Sequence, residues 1–279
     1  GMRLVAGKVL RATHCPAALR HQPDSANADS TALIEQWHGR GRLGYAITPR
    51  FALTSSPEQL AAAGRLAAEY PDVWIHTHLA ENMEEVATIA RQFPQSRRYL
   101  DVYDGFGLLR EKSVFAHCLH MDHEDRRCMA SKGGAAAFCP TSNLFLGSGL
   151  FDLPAMRAAG VSSGLGTDVG GGTSLSLLRT ASEAYKVLHM QEHALPSMQA
   201  LYLATLGAAE ALRLDDRIGN FAAGKEADFV VLDVEGSSLS ARRCAATASI
   251  EEKLFALMTL ADDRHVAATY LLGNIVDMY

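Results

Sequence analysis

Val73-Trp74-Ile75-His76-Thr77-His78, Ser113-Val114-Phe115-Ala116-His117 and Ser162-Ser163-Gly164-Leu165-Gly166-Thr167-Asp168 are three short apolar runs that each end in an imidazole or a carboxylate. Hydrocarbon runs of this length predict buried strands. A ligand-type side chain at the C-terminal end of such a strand is where a parallel barrel carries its working groups. The expectation is therefore an α/β chain of the (β/α)8 barrel type, with its chemistry at the strand exits.

The stretches around these runs alternate in the same way. Leu4 to Leu10 reads as a strand, followed by a polar stretch from His14 to Asn27 and an amphipathic helix from about Asp29 to His38. Tyr45-Ala46-Ile47-Thr48 is the next strand, and Ser56-Pro57-Glu58 opens a helix to about Glu69, with a capping serine followed by proline in the first turn. Helices at about Asn82–Phe93, Asp122–Ser131 and Leu153–Ala159 separate the strands ending at His78, His117, Cys139 and Gly166. Strand and helix in regular alternation imply a parallel sheet.

Beyond Thr173 the pattern changes to long helices, about Ser174–Gln191 and Ser197–Ala211. Asp228 to Asp233 then reads as a strand, Tyr270 to Val276 as a hairpin across Gly273-Asn274, and Glu235 to Ser249 as an exposed loop. The expected division is 1–215 for the barrel segment and 216–279 for a small C-terminal β element with a helix.

Composition narrows the function. At 279 residues, 48% hydrophobic and 20% charged, the chain can bury a large α/β core. A net charge of -5 without a Lys/Arg block argues against nucleic acid or an anionic membrane as partner. There is neither a secretion signal nor an uninterrupted apolar stretch of spanning length, so the expectation is a cytoplasmic protein. The five cysteines, Cys15, Cys118, Cys128, Cys139 and Cys244, form no C-x-x-C pair. They read as reduced small hydrophobes rather than a disulfide framework or a thiolate zinc site.

Each polar signal has two readings when taken alone. His78 and Glu81, three apart at a strand exit, suit a metal ligand beside a proton-relaying carboxylate. The plainer reading makes Glu81 a solvated carboxylate capping the next helix. His117 is either a ligand or a hydrogen-bonded core histidine. Asp168 is either a ligand or an Asx-turn residue in the glycine loop Val169-Gly170-Gly171-Gly172. That loop lacks the spacing and the lysine of a phosphate site. The order of the set raises all three: His-x-x-Glu, then His, then Asp, on successive or nearly successive strand ends.

The runs H-T-H-L-A-E-N-M-E-E-V (His76–Val86), F-A-H-C (Phe115–Cys118), F-C-P-T-S-N-L-F-L-G-S-G (Phe138–Gly149) and G-T-D-V-G-G-G (Gly166–Gly172) resemble the amidohydrolase superfamily, and within it the barrel-type guanine deaminases. The ending Ile218–Asp233 resembles the return of such chains into a small β-sandwich. The resemblance implies His78, His117 and Asp168 as ligands of zinc, with iron also suited to these donors. It implies Glu81 and Asp168 as the proton-handling pair, and hydrolytic deamination of guanine to xanthine and ammonia. Arg50 and Phe51, in T-P-R-F, match the arginine and aromatic that hold the purine. A guanidinium donates as a planar fork and a ring stacks on the base. A surface ion pair is the plainer reading of Arg50.

Counting back from Asp168 puts H-T-H on the fifth barrel strand, so His76 reads as a pocket wall or as a support behind the ligands, and not as a ligand. By the same count Leu4–Leu10 is the third strand. Strands one and two, their H-x-H ligand pair and the front of the sandwich would then be missing, and the unpaired edges would need cover. A homo-oligomer, most simply a dimer, is the expected partner state. Two alternatives stand beside guanine deamination. One is another amidohydrolase acting on an aminated or chlorinated ring. The other is a catalytically silent chain that only binds or assembles.

Overall fold

The computed structural model describes residues 1–276, which fall into two compact units. The first comprises residues 1–137 and 154–162, the second residues 138–153 and 163 onward.

The first unit is a parallel sheet with its helices in the intervening connections. Its strands are β1 (Leu4–Ala6), β2 (Val9–Leu10), β3 (Leu43–Pro49), β4 (Trp74–Leu79), β5 (Ser113–His117) and β6 (Ala135–Phe138). β1 and β2 both pair with β3, and the order continues through β4, β5 and β6. Every one of these pairings is parallel, as the alternating sequence implies. Buried residues such as Ile47, Ile75, Leu79 and Phe115 fill the core, each fully shielded from solvent. The expected strand Leu4–Leu10 is interrupted at Gly7. A Cβ there would lie 1.7 Å from the Ala46 carbonyl oxygen, so the two backbones approach too closely for a side chain.

The helices of this unit are α1 (Pro23–Trp37), α2 (Pro57–Glu69), α3 (Met83–Gln92), α4 (Tyr99–Gly105) and α5 (His123–Ser131). α1 starts six residues before the expected Asp29, because Pro23 occupies its first turn and needs no N–H donor there. Ser56 caps α2, as its sequence predicts, and Asp122 caps α5, the helix expected at about Asp122–Ser131. α4 was not expected; its apolar spacing is too short to stand out.

In the second unit α6 (Pro140–Phe145) follows β6, and β7 (Ser162–Leu165) runs into Gly166, whose N–H donates to the Phe138 carbonyl at 2.9 Å. A short helix, α7 (Leu153–Ala158), all but its first residue in the first unit, precedes β7. The expected helix Ser174–Gln191 is α8 (Leu177–His189), and Ser197–Ala211 divides into α9 (Ser197–Ala204) and α10 (Leu206–Ala211) at Thr205, which leaves helical dihedrals. β8 (Phe229–Leu232), β9 (Val266–Leu271) and β10 (Asn274–Val276) form an antiparallel three-stranded sheet, including the expected hairpin. Glu235–Ser249 is corrected from loop to helix over most of its length. α11 (Ser238–Ala245) is nucleated by a capping box in which Ser237 and Ser240 exchange side-chain-to-backbone bonds. Serine in both capping positions gives a polar sequence that reads as a loop. The last helix, α12 (Ile250–Leu260), meets α8 where Phe255 packs edge-on against Tyr185.

Candidate active site

β4 and β5 run side by side with His78 opposite Ala116 and Leu79 opposite His117. Side chains alternate across a strand, so Ile75, Thr77 and Leu79 are buried on one face while His76 and His78 share the other. At the ends of both strands the backbone turns left-handed. Ala80 has φ 49°, His117 φ 73° and Cys118 φ 52°. Three non-glycine residues in this region within two adjacent strand exits mark stored strain, of the kind that clusters at working sites. The loop after β5 is fixed by Leu119 and His120, whose N–H groups both donate to the Ala80 carbonyl.

This geometry brings the two imidazoles together. The rings of His78 and His117 stack at 5.3 Å, and each offers a nitrogen within 4.8 Å of the other's. His117 is completely buried and His78 half-buried. His78 Nδ1 lies 2.6 Å from the Arg50 carbonyl oxygen, which can only accept, so Nδ1 carries the proton and the lone pair sits on Nε2. A backbone carbonyl that fixes the tautomer in this way is the usual support of a metal-bound histidine. Burial, and then the charge of a protonated His117, hold the His78 imidazole down to about 4, so it is neutral near pH 7. The donors therefore fit a divalent cation.

Glu81 does not cap α3. The cap of α3 is Asn82, paired with Glu85, whose Oε2 accepts from the N–H groups of Glu81 and Asn82 at 3.0 and 3.3 Å. Glu81 is thereby left to direct its carboxylate to His117, with Oε2 3.7 Å from Nε2. Glu85 itself is buried, and burial raises its carboxyl above the usual range.

Arg50 and Phe51 follow β3 directly. The guanidinium lies over the Phe51 ring at 4.5 Å from its centroid, and the buried ring tilts against His78 at 5.7 Å. Arg50 thus stacks on its neighbour, an arrangement that neither sequence reading contained. His76 is exposed, on the same face as His78.

Asp168 belongs to the second unit. It sits after β7 at φ 47°, and its backbone carbonyl accepts from the N–H groups of Gly171 and Gly172, so the loop turns on its main chain and not on an Asx side chain. A Cβ on Gly171 would meet Ser142 Oγ at 2.4 Å and Asp168 Oδ2 at 3.1 Å, which explains the glycine.

Tyr103 of α4 is the residue that sequence reasoning missed. Fully buried, its hydroxyl donates to the His78 carbonyl at 2.7 Å and accepts from the Ala52 N–H at 2.9 Å. No spacing signal could reveal it, since its partners lie 25 and 51 residues away.

The described residues contain no helix long and apolar enough to cross a membrane. The chain is 50% identical to guanine deaminase of Escherichia coli K12 over 99% of its own length, and 42% identical to a probable guanine deaminase of Deinococcus radiodurans over 99%. It superposes on the structure of the E. coli enzyme with a TM-score of 0.98, at 49% identity and 99% coverage. It spans 63% and 64% of those relatives' lengths and 64% of that structure. The model of the amidohydrolase family matches residues 1–276. With this match over nearly every residue, and with paired histidines at adjacent parallel strand exits, the chain belongs to the amidohydrolase family.

Proposed function

We propose that this chain carries the hydrolytic centre of a guanine deaminase, converting guanine and water to xanthine and ammonia. The observation that carries the reading is the neutral His78 imidazole, with Nδ1 committed to the Arg50 carbonyl, stacked on His117 beside the Glu81 carboxylate. The relatives' names supply the substrate.

His78 and His117, with Asp168 as third donor, are the residues proposed to hold a divalent cation, zinc first and iron as the alternative that these donors also suit. When bound, such a cation supplies Lewis-acid activation of water. Glu81 takes a proton from the attacking water and delivers it to the purine ring nitrogen, and Glu81 and Asp168 return a proton to the leaving amine. Arg50 and Phe51 hold the purine, with His76 as a wall of the same pocket. Stacking on Phe51 pre-orients the guanidinium, which lowers the ordering cost of gripping a planar base.

The proposal extends to residues 1–215 as the barrel segment, to residues 216–279 as its β element and helix, of which 277–279 lie outside the described residues, and to a cytoplasmic homodimer; five cysteines without a C-x-x-C pair suit a reducing compartment. A second reading is a chain that holds metal without turnover. Elemental analysis of protein purified without chelator tests the centre. About one metal per chain is expected, together with xanthine formed from guanine and not from adenosine derivatives or triazines. Metal without turnover supports the second reading, and no metal after zinc is supplied defeats both.

A further inference from the structure

We infer that Tyr103 is a positioning residue for the His78 ligand, acting through its hydroxyl; the zinc arm of its test rests on the metal reading of His78 given above. The phenol stands behind β4, on the face opposite the histidine rings. There it gathers groups from two strand exits. It donates to the His78 carbonyl, accepts from the Ala52 N–H, and lies 3.1 Å from Thr77 Oγ1. Thr77 Oγ1 in turn donates to the Arg50 carbonyl at 3.3 Å, the same oxygen that receives the His78 Nδ1 proton and, at 3.2 Å, the His78 N–H.

Tyr103 therefore holds the His78 carbonyl directly and the segment after Arg50 through the Ala52 N–H, while the Thr77 hydroxyl, with one proton to give, serves either the Arg50 carbonyl or the Tyr103 oxygen. Arg50 is on the segment after β3 and His78 is at the end of β4; β3 pairs with β4 at Ala46 and Ile47. Beyond Ile47 the register is carried by these side-chain and carbonyl bonds. Burial raises the phenol well above its ordinary range, so the hydroxyl remains protonated and a donor at every working pH. Removing a buried hydroxyl leaves the donors and acceptors it served unmet.

The hydroxyl can be deleted while the ring is kept. Tyr103→Phe leaves the stack on Tyr99 at 5.7 Å and the contact with Phe115. Tyr99→Phe is the comparison, a second buried phenol on the same helix whose hydroxyl lies by Glu85 and by the Tyr103 hydroxyl, one step removed from the ligand strand. Thr77→Val is a milder variant should Tyr103→Phe fold poorly.

Long-range proton–nitrogen spectra of the metal-free protein read the His78 tautomer, and competition with a chromophoric chelator reads zinc affinity. In the wild type and in Tyr99→Phe, His78 is expected as a single Nδ1–H tautomer. In Tyr103→Phe it becomes a mixture, and zinc binding weakens roughly 10- to 100-fold, the range for outer-shell partners of a metal ligand. Thr77→Val shifts both readouts in the same direction by less. A wild-type His78 without the Nδ1 proton, or a Tyr103→Phe protein with the wild-type tautomer and zinc affinity, overturns the inference. A wild-type chain that takes up no zinc defeats the metal reading alone, since the tautomer comparison still decides the role of Tyr103.

Discussion

His78 Nδ1 reaches the carbonyl oxygen of Arg50, 28 residues upstream, at 2.6 Å. The contact commits one ring nitrogen and frees the other, and it ties the proposed purine-gripping segment to the proposed metal ligand. Movement of either residue is felt by the other.

Proton competition for this ligand follows from its depressed basicity. With an unfolded-state value near 6.5 and a folded one of about 4, His78 is neutral in the fold while the unfolded chain binds a proton between those limits. The metal-free fold therefore has its full stability above about pH 6.5 and loses it as the pH falls toward 4. The urea midpoint should decline across that window, and His78→Gln should flatten the decline. Beyond burial, the neighbours that oppose a positive charge on His78 are His117, then Arg50 and His76. An unchanged slope in the variant would assign the decline to other groups.

Replacing Glu81 by glutamine keeps the shape and removes the proton carrier. Turnover of guanine should fall about 10²- to 10⁴-fold with metal content unchanged, the usual contribution of a positioned acid or base. Loss of metal in parallel would make Glu81 a ligand instead.

Glu85 and Glu84 are adjacent carboxylates in the first turn of α3 with opposite surroundings. Glu85 is buried and accepts two backbone N–H bonds, whereas Glu84 is exposed. Glu85→Ala should cost about 1–3 kcal/mol by leaving those donors unmet, and Glu84→Ala less than about 0.5 kcal/mol. Equal costs in chemical denaturation would remove the capping role.

Gly171→Ala drives a methyl against Ser142 Oγ and Asp168 Oδ2, at 2.4 and 3.1 Å. Ser142 is fully buried, so the methyl has little room to be accommodated. A cost of about 1–3 kcal/mol is expected. Adding Ser142→Ala should recover part of it, with a coupling of at least about 0.5 kcal/mol in a double-mutant cycle. Strict additivity would place the cause elsewhere.

The sequence by itself determined the parallel α/β pattern, because buried strands and their capped helices are local signals: apolar runs of strand length, Ser56 before Pro57, and Asp122 ahead of α5. It also determined which residue types stand at the strand exits, since His78, Glu81, His117 and Asp168 follow those runs directly. Only the tertiary structure decided which groups each of them meets. A capping carboxylate at position 81 and one at position 85 are equivalent on paper, and burial separates them. Arg50 turned onto Phe51, and α11 formed from a serine-rich stretch that reads as a loop. Tyr103 gained its place from partners 25 and 51 residues away. Periodicity records which face of an element is apolar. The partner of a buried hydroxyl is set by which distant segments the sheet brings behind it, and no local pattern encodes that.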